Sequence, residues 1–158
     1  MRTSNATLVA MCIAAFAGQG WSGERGTAEA PAAAGARIET WRIADPHGTG
    51  KRSTSTMIVV RDEDTVEARV PGRPVRVWRR LDDGVELREI DIARGTMVVH
   101  APGDLRAEQH APVWSRVLAM PAATDPSAKR ISTRTAPAAQ AFTDTTALRE
   151  VDGIDDGD

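Results

Sequence analysis

The chain has 158 residues and nearly cancelling charge, 20 Lys+Arg against 22 Asp+Glu, for a formal −2. That length admits one core of about 100–150 residues. The charge balance removes the electrostatic case for nucleic acid or an acidic lipid surface, and a single cysteine excludes an internal disulfide or a multi-thiolate metal site.

Residues 1–17 read as a secretory signal. Arg2 supplies a positive start, and Ala6 to Ala17 is an uncharged, mostly apolar run too short to span a bilayer of about 30 Å. Ala15 and Ala17 form an A-x-A cleavage site, so the expected location is periplasmic or secreted, with no transmembrane segment in the mature chain. Cys12 follows Met11, which is not small, and this argues against lipid attachment there. Cleavage removes Cys12 and leaves a thiol-free chain suited to an oxidising compartment. Residues 18–36 hold one large apolar side chain, Trp21, among Gly, Ala, Ser and Thr, and read as a flexible leader.

Residues 37–120 carry the expected domain, an all-β, up-and-down antiparallel meander. Ile38–Ala44 is the first strand, and a Pro46–Gly50 loop follows it. Thr54–Arg61, apolar on both faces through Met57, Ile58, Val59 and Val60, belongs in the centre or under cover. Val66, Ala68 and Val70 alternate with polar residues up to the Pro71–Pro74 turn, after which Val75 and Val77 alternate with Arg76 and Trp78. A loop at Gly72 and Arg73 sets Val70 opposite Val75 and Ala68 opposite Val77, leaving Trp78 outside. A three-residue loop, Asp82-Asp83-Gly84, then pairs Leu81 with Val85. Ile90 and Ile92 are out of phase with Val85 and Leu87, so a β-bulge is expected near Arg88 and Glu89. Thr96–His100 follows a turn at Arg94 and Gly95, and Pro102-Gly103 closes the sheet. Pro112 opens a short helix to Met120, with Val113/Val117 and Trp114/Leu118 at i, i+4. Residues 121–158, Ala/Thr/Pro-rich and then acidic, read as a disordered low-complexity tail.

Chemistry-bearing motifs are sparse. Gly48–Ser53 lacks the P-loop pattern, because Asp45 stands at its first glycine and Arg52 at its Ser/Thr. His47, His100 and His110, with Asp45 or Asp104, have no helical i, i+4 or strand HxH spacing, so no metal is expected. The carboxylates Asp62, Glu63, Asp64, Asp82 and Asp83 sit at hairpin tips, where Asp serves turn hydrogen bonding. The acidic C-terminus lacks the EF-hand order of ligands. No nucleophile–base arrangement is visible, and the reading is of a non-enzymatic protein without a cofactor. The many arginines read as ion-pairing and edge-protecting residues of the sheet.

About six strands suffice for a curved sheet but not for closure, since small barrels use about 8. One short helix leaves an apolar concave face lined by Trp41, Met57, Val59, Val77, Leu87, Ile90 and Val99 as the candidate ligand surface. In architecture alone, an exported meander with a plugging helix resembles the half-barrel carriers of lipoprotein acyl chains in the bacterial envelope. The resemblance implies an apolar ligand and transfers no residues. The first expectation is therefore an accessory or interaction protein of a bacterial-type envelope, presenting a sheet edge or the tail to another exported protein. The alternatives are a periplasmic carrier holding an acyl chain, and a truncated fragment of a larger β protein, suggested by the loss of apolar pattern after Met120.

Overall fold

The computed structural model describes residues 35–45 and 53–152. The expected signal, residues 18–34 of the leader, most of the loop containing His47 and Lys51, and the last six residues lie outside the described residues.

Eleven elements follow one another: β1 (Gly35–Ala44), β2 (Thr54–Arg61), β3 (Thr65–Arg69), β4 (Val75–Leu81), β5 (Gly84–Asp91), β6 (Thr96–His100), α1 (Leu105–His110), α2 (Trp114–Leu118), β7 (Lys129–Pro137), α3 (Ala138–Ala141) and β8 (Arg149–Glu150). The strands form one eight-stranded sheet in the order β7-β1-β2-β3-β4-β5-β6-β8, antiparallel except where β8 runs parallel to β6. From β1 to β6 it is the meander expected of the turn chemistry. Asp62 makes the first such turn, its carboxylate accepting from the backbone N–H of Asp64 and Thr65 at 3.0 and 2.7 Å. Pro71 and Gly72 make the next, with Gly72 at φ 72° and Arg73 N–H bonded to Val70 O at 3.2 Å.

Register is where the sequence reading fails. The β3–β4 ladder turns about Gly72, so Ala68 lies opposite Arg76 and Glu67 opposite Val77, one residue away from expectation. The next hairpin uses only Asp82 and Asp83 as its loop, pairing Leu81 with Gly84 and Trp78 with Leu87. A slip of one residue moves a strand's side chains to the other face. Trp78, expected outside, is only 3% exposed and sits opposite Val66 and Leu87, while Val77 turns to the other side. The two slips cancel at β5, so Leu87 keeps its expected face. No bulge occurs near Arg88, because β5 runs in unbroken register with both β4 and β6.

Both faces of the sheet are covered, which explains the apolar runs without alternation. On one face Val59, Val66, Ala68, Trp78 and Leu87 pack with Ala107, Ala111, Val117 and Met120 from the helical segment 101–126. The opposite face carries two clusters. Ala36, Ile38 and Val60 meet Ala141 and Phe142, and Val75, Val77 and Ile90 meet Met97 and Leu148. These are called here the helix face and the tail face. Val59 and Val60, neighbours in β2, are fully buried on opposite faces, as expected of a covered strand.

Residues 121–152 do not form the disordered tail expected of their composition. β7 pairs along β1 from Gly35 to Arg42, with one register shift between Thr40 and Trp41. The segment after it is pinned through Glu67, whose buried carboxylate accepts from Thr143 N–H and Thr143 Oγ1, both at 2.8 Å, and also pairs with Arg69. Loss of apolar pattern after Met120 therefore does not mark the end of the sheet. The strand is stabilised by ladder hydrogen bonds at an edge, which ask little of side-chain hydrophobicity. The short C-terminal helix is α2, within the expected Pro112–Met120 span, while α1 fills a stretch expected to be loop, capped by Asp104 accepting from Arg106 N–H at 2.7 Å.

Candidate functional site

Between the helix face and segment 101–126 lies a cavity of about 950 Å³. Its apolar wall comes from Ile43 of β1, Met57 of β2, Ala68 of β3, Val70 just after it, Trp78 of β4 and Val98 of β6, with Met120 and Pro121 from the covering segment. These positions share a face because the antiparallel ladders hold Ala68 opposite Val59, Trp78 opposite Val66, and Val98 opposite Glu89.

The cover is held to the sheet by polar contacts as well as burial. Arg61, buried at the end of β2, donates through Nη1 to Leu118 O at 2.7 Å and through Nη2 to Met120 O, satisfying carbonyls at the end of α2. Its Nε donates to Glu39 Oε2 at 3.1 Å, and Trp41 Nε1 donates to the same oxygen at 3.2 Å. Burial alone would raise the Glu39 pKa, but the hydrogen bond and charge of Arg61, with help from Trp41 and Arg37, outweigh it and hold the carboxyl below its ordinary range. At the other side of the cover, the Arg80 guanidinium lies 5.9 Å from the Trp114 ring.

A polar cluster is set into one wall of the cavity. Glu89 of β5 is 3% exposed. It accepts from Arg76 Nε across the β4–β5 ladder at 3.1 Å, lies 3.3 Å from Arg106 Nη2 of α1, and meets His100 Nε2 at 3.2 Å. Burial pushes its pKa upward, yet the charges of Arg76 and Arg106 and the bond from His100 bring it below the usual carboxylate value. His110 closes α1 beside this cluster. Burial, then the charge of Arg76, hold its pKa below the ordinary histidine value, so it is neutral at pH 7. The indole Nε1 of Trp78 is buried without a hydrogen-bond partner among the described residues.

Of the seven residues expected to line a concave face, Trp41, Met57, Val59 and Leu87 lie on the helix face, but only Met57 reaches the cavity. Val59 and Leu87 are fully buried core beneath it, and Trp41 packs beside them against Glu39. Val77, Ile90 and Val99 belong to the tail face, because the register slip reverses β4 and the absent bulge reverses Ile90. Sequence reasoning missed Trp78, Arg76, Glu89 and Arg106. The available signal was the Arg76-x-Trp78 alternation, whose large aromatic demanded burial and would have carried Arg76 to the same face. His100 and His110 do come to one cavity, with His100 Nδ1 3.6 Å from Asp104, but no group of three metal-ligating side chains forms among the described residues. Asp64 pairs with Arg80 at 2.6 Å, and Asp82 and Asp83 are exposed loop residues.

No family model, curated protein or solved structure matches this chain.

Proposed function

We propose that the chain is a non-enzymatic binding module, exported to a periplasmic or secreted location, that holds an apolar ligand such as an acyl chain between its sheet and segment 101–126. The observation that carries this reading is the cavity of about 950 Å³, one part of whose wall is Met, Val, Ala, Ile and Trp side chains and another part charged residues. Ligand sites are typically concave, about 300–1,000 Å³, mostly apolar, and furnished with a few convergent polar groups. In a sheet otherwise covered on both faces, such a volume is left where small side chains, Ala68 and Val70, face the cover. The test is titration of the full chain with a fluorescent fatty-acid probe. Saturable binding that is lost in Val70→Trp, with circular dichroism unchanged, supports the reading, and absence of saturable binding overturns it.

A second reading is favoured by β7, the outer strand of the sheet, almost wholly exposed, with Lys129, Arg130 and Arg134 and no acidic residue. Such an edge can accept an extended acidic segment of another exported protein by strand addition. Thr133→Pro would remove a backbone donor there. Capture of an envelope protein by the parent chain that survives this change unaltered counts against the edge.

A further inference from the structure

The cavity is chemically asymmetric. Its wall carries an excess of N–H donors over acceptors around Glu89. Arg76 and Arg106 each bring a five-donor guanidinium, and each reaches Glu89 through one nitrogen. Glu89 also takes His100, so both its oxygens are engaged. Arg76 and Arg106 make no other side-chain hydrogen bond or ion pair among the described residues. Around Glu89 itself two cations meet one buried carboxylate, a local positive excess; the wall as a whole holds Arg73, Arg76 and Arg106 with Glu89, Asp125 and Asp152, of which Asp152 is solvent-exposed. The carboxylate of Asp125, also on the cavity wall, is taken up by Ala44 N–H at 2.8 Å and by Ser127, and does not offset that excess.

On the reading that the cavity binds an apolar chain, we propose that its ligand is an amphiphile with an anionic head, a carboxylate or a phosphate ester, seated with the head at Arg76 and Arg106 and the chain along Met57, Val70 and Val98. Guanidinium groups suit both anions, since their planar donor fork matches carboxylate and phosphate oxygens. A neutral head of the same chain length would leave the donor surplus unanswered.

The experiment displaces a neutral fluorescent acyl probe from the full chain with dodecanoate, dodecyl phosphate, dodecanol, inorganic phosphate and acetate at pH 7.5. The anionic amphiphiles are expected to bind about tenfold or more tightly than dodecanol, the ratio typical of one charge-assisted hydrogen bond. Arg106→Gln, which leaves Arg76 and His100 on Glu89, should narrow that ratio to less than about threefold. The dodecanoate-to-dodecyl phosphate ratio tells which anion is preferred. Equal binding of dodecanol and both anions overturns the head-group assignment and leaves the apolar cavity standing. Binding of none overturns both. Displacement by phosphate or acetate as effective as that by the amphiphiles overturns the amphiphile in favour of a bare anion site.

Discussion

Arg61→Met separates burial from electrostatics in holding the cover. The change keeps an apolar stem of similar length and removes the guanidinium. Glu39, 1% exposed, would then retain Trp41 Nε1 at 3.2 Å, Arg37 at 3.3 Å and Arg130 at 3.2 Å, the two arginines about half exposed. Leu118 O and Met120 O would lose their side-chain donor. Breaking a buried pair from one side costs about 3–5 kcal/mol, because the other charge stays buried. The surviving partners of Glu39 place the loss near the lower end, about 3 kcal/mol, since exposed pairs contribute about 1 kcal/mol or less. Urea unfolding reads this as a midpoint drop of about 1 M or more at ordinary m-values. Amide exchange supplies the local reading: protection at Ala119 and Met120, whose N–H groups bond to Ser115 O and Val117 O, should fall more than protection in β4. A stability loss under about 1 kcal/mol, or exchange at Ala119 and Met120 unchanged relative to β4, would show that Arg61 is not the anchor.

Three other outcomes follow from the same packing. As pH falls, stability should drop in two stages. His110, with its folded pKa lowered, resists protonation, so the contribution is present above about pH 6.5 and declines below it, and His110→Gln should remove this first stage. Glu39 and Glu89, also lowered, contribute above about pH 4.5 and lose that contribution as pH falls through their folded values, which acid titration of circular dichroism would show as the second stage. Thr143→Val deletes the hydroxyl donated to buried Glu67 while keeping the shape, and should cost about 1–3 kcal/mol in urea unfolding. Gly84→Ala should cost a similar amount, about 1–3 kcal/mol for a side chain at a strained φ, because φ there is 145° and the new Cβ would stand 3.0 Å from Pro102 Cβ; a variant as stable as the parent would contradict the two-residue hairpin.

What the sequence made legible was local. Thr54–Arg61 and Thr96–His100 are strands over the expected residues, because turn signals bracket them and their apolar content has only one use. Register needed more than alternation. In Val75–Leu81 both faces are buried at some point, with Val75 and Val77 on one and Trp78 on the other, so matching valines across the turn selected the wrong partner. The bulge near Arg88 was an artefact of assuming one greasy face; Leu87 and Ile90 serve separate cores. β7 was invisible for the opposite reason, since Ser132, Thr133 and Arg134 bury almost nothing and the strand exists through backbone pairing with β1. The Arg76–Glu89–Arg106 cluster joins β4, β5 and α1 and could be read only once their register and the path of α1 were in place.

Photo-crosslinking of the full chain with a diazirine-bearing fatty acid, followed by peptide mapping, locates the ligand itself. Label should fall on Met57, Val70 and Met120, compete away with unlabelled dodecanoate, and spare Val77, Ile90 and Phe142 of the tail face. Competable label confined to the tail face or to the β7 edge would contradict the cavity as the binding site.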